Sequence, residues 1–85
     1  MTRAALNRAR VLTALTGEEQ ALMVVTRRAG LEWSQVMNIA QGLMREGLAY
    51  RGPQDRLTLA LTTAPHVERE QAQARALLEK EGGRA

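Results

Sequence analysis

Read along the chain, the apolar positions keep one rhythm up to Gly47 and a different one after it. From Thr2 to Leu15, Ala5, Ala9 and Leu12 recur at helical spacing and Val11 and Leu15 widen the stripe. Leu6 falls on another side, between Arg3 and Arg10, where it can meet something other than the domain's own core. The "TGEE" that follows has Thr16 and, three residues on, Glu19, a capping-box signature for a second helix. In that helix Leu22, Val25 and Ala29 share a face, and Gly30 is a natural stop. The same segment, "QALMVV", also reads as a short strand before a shorter helix. In a continuous helix Met23 and Val24 point away from the stripe and offer packing surface to another element.

A third helix is expected over 33–46. Leu31 precedes a cap at Glu32, and Gln35 stands where a capping-box glutamine would; Ser34 is an alternative start. Val36, Ile39 and Leu43 with Ala40 form its buried stripe, and Ser34, Asn38, Gln41 and Arg45, spaced 4-3-4, form the opposite one. Gly47 sits where a left-handed residue ends a helix, with Leu48 folding back on the last turn. The rhythm then becomes period two. Leu57, Leu59 and Leu61 alternate with Thr58, Ala60 and Thr62 as in a half-buried strand, with "LAYR" as its antiparallel partner and "GPQD" as the turn. A last helix follows "LTTAP", capped by Thr62 or Thr63, with Pro65 suited to its first turn. Val67, Ala74 and Leu78 make a narrow stripe there, with Gln71 in register and Leu77 beside it, and "GGRA" ends it.

Eighty-five residues are enough for one domain and not for two. Apolar residues make up 45% and charged ones 25%, the balance of a globular domain, and the absence of Phe leaves a core of Leu, Val, Ile, Met and Ala. With no Cys, disulfides and thiolate metal sites are excluded. No apolar run approaches the roughly 18 residues of a membrane span. The opening "MTRAALNRARVLTAL" carries Arg3, Arg8 and Arg10 as a transit peptide would, but it lacks a continuous apolar region and reads equally well as a first helix, and a cytoplasmic protein is expected by default. The net charge of +3 lies wholly before His66, and the last helix is balanced. Mild basicity permits nucleic-acid binding without requiring it.

Three helices followed by a hairpin with Arg51 and Arg56 on either side of its turn is the order of a winged helix-turn-helix. The run "GLEWSQVMNIAQGLMREGLAYR" resembles that family from its helix-2 turn to its wing: Gly30 and Leu31 at the turn, Ser34, Val36 and Leu43 in the helix, Glu46, Gly47 and Leu48 at its end, and Arg51 in the first wing strand. "LTLALT" resembles the second wing strand, after which MarR-like and PadR-like regulators begin a C-terminal helix. The resemblance covers 17–62. It implies a mainly α (α+β) fold, with a winged helix-turn-helix over 1–63, a two-stranded wing and a C-terminal helix in 64–85.

It also implies a homodimeric transcriptional regulator that binds double-stranded DNA, with helix 33–46 in the major groove and wing 48–61 on the backbone or minor groove. Ser34, Gln35, Asn38 and Gln41 are the expected base contacts, and Arg27, Arg28, Arg45, Arg51 and Arg56 the expected phosphate contacts. Each has a plainer reading: a solvated helix face for the first set, and for the arginines hairpin edges that discourage sheet pairing or a helix C-terminus complementing its dipole. Leu6, Val67, Ala74, Leu77 and Leu78 are the expected dimer interface; otherwise the last helix lies back on its own domain. Gly42, costly inside a helix, either admits close approach of a phosphate or another chain or is simply tolerated.

The third helix carries one basic residue, Arg45, between Glu32 and Glu46, and the wing tip is not basic. That keeps a second class open, a winged-helix module for protein partners with Met23, Val24, Trp33 and Met37 as its apolar patch. Catalysis has little to stand on. His66 is the sole histidine, no Gly-rich phosphate loop is present, and Glu18–Glu19 and Glu79–Glu81 read as helix-end and surface charges. No enzyme, cofactor or metal is expected.

Overall fold

The computed structural model describes residues 2–54 and 57–82. Their elements run α1 (Arg3–Ala14), β1 (Gln20–Ala21), α2 (Leu22–Ala29), α3 (Trp33–Arg45), β2 (Ala49–Arg51), β3 (Thr58–Leu61) and α4 (Val67–Gly82). Thr2 caps α1, its Oγ1 accepting the Ala5 N–H at 3.2 Å. The other end of α1 has no glycine and no basic residue in its last turn. Its carbonyls are met instead from α4, where Gln71 Nε2 donates to Leu12 O and Leu15 O, both at 3.0 Å. That explains a polar residue in the apolar stripe of the last helix: it satisfies orphan carbonyls at a buried helix end.

The ambiguity at "QALMVV" resolves toward strand then short helix. Gln20 pairs with Leu59 and Ala21 with Thr58, and the Leu22 N–H donates to Leu57 O at 2.7 Å. The Thr16–Glu19 capping box does not form. Thr16 Oγ1 instead accepts from Glu18 N (3.2 Å) and Gln20 Nε2 (3.1 Å), holding a turn that delivers the chain to the sheet. A donor at the start of α2 is thus satisfied by strand pairing, which outcompetes a side-chain cap.

The sheet is three-stranded and antiparallel in the order β1-β3-β2, one strand more than the expected hairpin. Ala49, Tyr50 and Arg51 face Leu61, Ala60 and Leu59 across the β2–β3 ladder. As the middle strand, β3 buries Leu59 and Leu61 and also Ala60, while Leu57, before the strand, is 61% exposed. The expected alternation fails at those two positions: Ala60, opposite Tyr50, is buried, and Leu57 lies before the strand begins.

Gly30 (φ 68°) and Gly47 (φ 75°) are the positive-φ residues among those described, and both end helices as expected. Beyond Gly47, Leu48 N–H reaches Leu43 O at 2.9 Å while Gly47 N–H reaches Met44 O at 3.1 Å, a Schellman closure that folds Leu48 into the core. Neither Thr62 nor Thr63 caps α4. Thr62 Oγ1 donates to Gly47 O at 2.6 Å, fastening the end of β3 to the end of α3.

The core gathers Leu12, Leu15, Leu22, Val25, Val36, Leu43, Leu48 and Leu59, and among the described residues no polar one is buried. The helix α4 packs along α1 of its own chain. Val67 and Ala74, expected in a dimer interface, are 6% and 5% exposed here because they fill that intrachain seam. Leu77 and Leu78 pack against the same core but stay partly exposed.

Candidate nucleic-acid interface

The third helix positions the site. Its start is fixed where the sequence indicated, with the Glu32 N–H donating to Gln35 Oε1 at 3.0 Å. One predicted base contact is thereby partly committed: Gln35 is half-buried, its amide oxygen occupied, and only its Nε2 is left to reach outward. Ser34, Asn38, Gln41 and Arg45 are all exposed along one stripe, opposite the buried Val36, Ala40 and Leu43. None of the four side chains forms a hydrogen bond or ion pair among the described residues.

Two different structures flank that stripe. At about 100° per residue, Met37 and Met44 lie on one side of it, and Gln35, Gly42 and Glu46 on the other. The Met side faces the hairpin. Arg51 Nη2 donates to Met37 Sδ at 3.8 Å, and the Arg51 Nε is buried without a hydrogen-bond partner. Gln41, Met44, Arg51, Gly52 and Pro53 line an open cleft of about 440 Å³. Arg51 is therefore a cation held by a weak sulfur acceptor and a wall of the cleft, not a freely solvated hairpin edge.

The other side faces α1. Arg8 Nη2 bridges Glu46 Oε1 at 2.8 Å and Glu70 Oε1 at 3.1 Å, tying α1 to the end of α3 and to α4. Burial works against the charge of Arg8, but its hydrogen bonds to Glu46 and Glu70 outweigh that and hold the guanidinium above its ordinary, already high, pKa. His66 adds a second tie, its Nε2 lying 3.2 Å from Glu46 O. No spacing in the sequence announces this clasp, because its members lie on three separate elements. Nearby, Arg3, Leu6, Asn7 and Arg10 of α1 share a groove of about 420 Å³ with Leu31 and Gln35.

The remaining candidates divide. Arg27 and Arg28 are exposed in the last turn of α2, where Arg28 Nη1 also donates to Gln20 Oε1 at 3.3 Å. Arg56 lies outside the described residues. Of the apolar patch, Met23, Val24 and Trp33 are exposed (57%, 38% and 40%), but Met37 is not displayed: it packs partly buried against the core, under Arg51. Among the described residues no cluster of three or more His, Asp or Glu could hold a metal ion, and no helix is long and apolar enough to cross a membrane.

A crystal structure of a MarR family transcriptional regulator from Silicibacter pomeroyi DSS-3 superposes on this arrangement with a TM-score of 0.63, covering 92% of this chain and 54% of that one at 20% identity. The fold is a winged helix-turn-helix. In its terms α2 and α3 are the helix-turn-helix, β2 and β3 the wing, and β1 the strand that joins the wing to the start of α2. The chain spans about half the length of the regulator it matches. No protein-family profile matches the chain, and no curated protein matches it in sequence.

Proposed function

We propose that this chain is a sequence-specific, double-stranded DNA-binding transcriptional regulator with α3 in the major groove. The observation that carries the reading is the exposed stripe of Ser34, Asn38, Gln41 and Arg45, without partners among the described residues, on the helix that a winged fold presents. An α-helix fits the major groove, and Asn and Gln amides match the N6/N7 edge of adenine. Asn38 and Gln41 read bases. Ser34 and the Nε2 of Gln35 meet base or phosphate at the helix start, and Arg27, Arg28, Arg45, Arg51 and Arg56 meet phosphates. A binding protein of this kind is no enzyme, needs no cofactor and works in the cytoplasm beside the DNA. The solved regulator with the same fold supports the class of function.

The regulator acts as a homodimer. On α4 the apolar surface left for a second copy is that of Leu77 and Leu78, since Val67 and Ala74 are consumed within the chain, while Leu6 lines the α1 groove with Arg3, Asn7 and Arg10. Leu78→Asp is expected to shift the sedimentation coefficient to that of a monomer; an unchanged value removes this interface.

The test of the main reading is fluorescence-anisotropy titration onto duplex DNA from the protein's own promoter, against a scrambled duplex, over a salt series. Preferential binding that weakens with salt is expected, and Asn38→Ala/Gln41→Ala should abolish the preference, each lost bidentate contact being worth about 1–3 kcal/mol. The exposure of Met23, Val24 and Trp33 favours a second reading, a module that docks a protein partner through those residues. Failure to bind either duplex at low salt would leave that reading standing in place of the first.

A further inference from the structure

Arg3, Asn7 and Arg10 recur along one face of α1, and both arginines are exposed. Neither enters an ion pair among the described residues, whereas Arg8, between them in sequence, is committed to Glu46 and Glu70. Arg3 also stands at the first position of α1, whose first turn holds no acid. There the positive end of the helix repels a cation, so the residue is placed against its local electrostatics with no internal compensation. Two cations without an ion pair among the described residues are available to something outside the chain.

Their position says what. The Arg3–Asn7–Arg10 face shares its groove with Gln35, which lies on the flank of α3 that faces α1. Arg51 lies against the opposite flank, beside Met37. The Ser34–Asn38–Gln41–Arg45 stripe runs between the two. A major groove about 12 Å wide is bounded by a phosphate backbone on each side, so a helix seated in it has phosphates along both flanks. The wing supplies a cationic edge to one.

We propose that Arg3, Asn7 and Arg10 of α1 form the second backbone-binding edge of the DNA interface, engaging phosphates across the major groove from those met by the wing. This inference rests on the DNA-binding reading above. It adds residues that the sequence did not single out as DNA contacts, and it gives Gln35, anchored at the helix cap, a place between base and backbone contacts.

The experiment compares wild type, Arg3→Gln/Arg10→Gln and Asn38→Ala/Gln41→Ala on promoter and scrambled duplexes across a salt series, with thermal melts to confirm folding of these surface variants. The Arg3→Gln/Arg10→Gln protein should show a salt slope shallower by about two, roughly 0.9 per phosphate. It should bind both duplexes more weakly by the same factor, leaving discrimination intact, and phosphate-ethylation interference should vanish on one side of the groove only. Asn38→Ala/Gln41→Ala should do the reverse, losing discrimination and keeping its slope. If wild type discriminates but Arg3→Gln/Arg10→Gln keeps both slope and affinity, α1 does not touch DNA and this inference falls while the regulator reading stands. If wild type binds neither duplex, both fall together.

Discussion

Three glycines show how far a single residue can be read. Gly47, at φ 75°, and Gly42, inside α3, both have open space where a Cβ would go. Crowding therefore plays no part, and only backbone conformation separates them. Gly47→Ala forces an L-residue into the left-handed region and should cost about 1–2 kcal/mol, lowering the melting temperature by roughly 4–8 °C per kcal/mol in a domain of this size. Gly30→Ala, at φ 68°, should behave alike. Gly42→Ala removes the penalty of glycine in a helix and should stabilise the protein by up to about 1 kcal/mol in urea or thermal melts. If DNA also approaches the helix closely at Gly42, the same variant will bind the promoter duplex less tightly, so paired melting and anisotropy measurements separate tolerance from function.

At the scale of elements, the stability of α1 depends on α4. Gln71→Ala leaves two helix-end carbonyls without their donor and should cost about 1–2 kcal/mol, a larger loss than expected from an ordinary polar residue on a helix. The Arg8 clasp joins α1, α3 and α4, yet it is about one-third exposed, with side-chain exposure of 34% for Arg8 and 49% for Glu46. Solvent screening limits its worth. Arg8→Met should lower stability by no more than roughly 1 kcal/mol, and the difference from wild type should shrink further in high salt. Chemical-denaturation midpoints of the two proteins at low and high ionic strength would check both parts of this expectation.

For the whole molecule, the decisive feature is that the C-terminal helix closes the core of its own domain. Val67 and Ala74 are buried, and Leu77 and Leu78 pack beside them. A chain ending at Pro65 would expose the facing side of α1 as well as losing these residues. Burying a single Leu or Val is worth about 1.5–3 kcal/mol, and whole domains are stable by only about 5–15 kcal/mol. The shortened chain is therefore expected to lose its cooperative melting transition by circular dichroism. A sharp transition near the intact protein's temperature would mean that the helix is an appendage to a self-sufficient 1–65 domain.

Local chemistry is what the chain wrote legibly. The αL stops at Gly30 and Gly47, the cap of Gln35 on Glu32, the buried stripe of Val36, Ala40 and Leu43 and the polar stripe opposite it each depend on residues within a few positions of one another, so spacing alone reveals them. The helices and wing followed, and with them the winged fold. What the tertiary structure decided was everything that depends on which elements meet. The Thr16–Glu19 signature was a locally valid cap that lost to pairing of Gln20 and Ala21 with β3. Gln71 looked like a flaw in an apolar stripe until its target, the end of α1, came within reach. Arg8, Glu46 and Glu70 are far apart in sequence, and so are Arg10 and Gln35. Periodicity records which face of a helix turns inward, but only packing records what that face, or the one opposite, is turned toward.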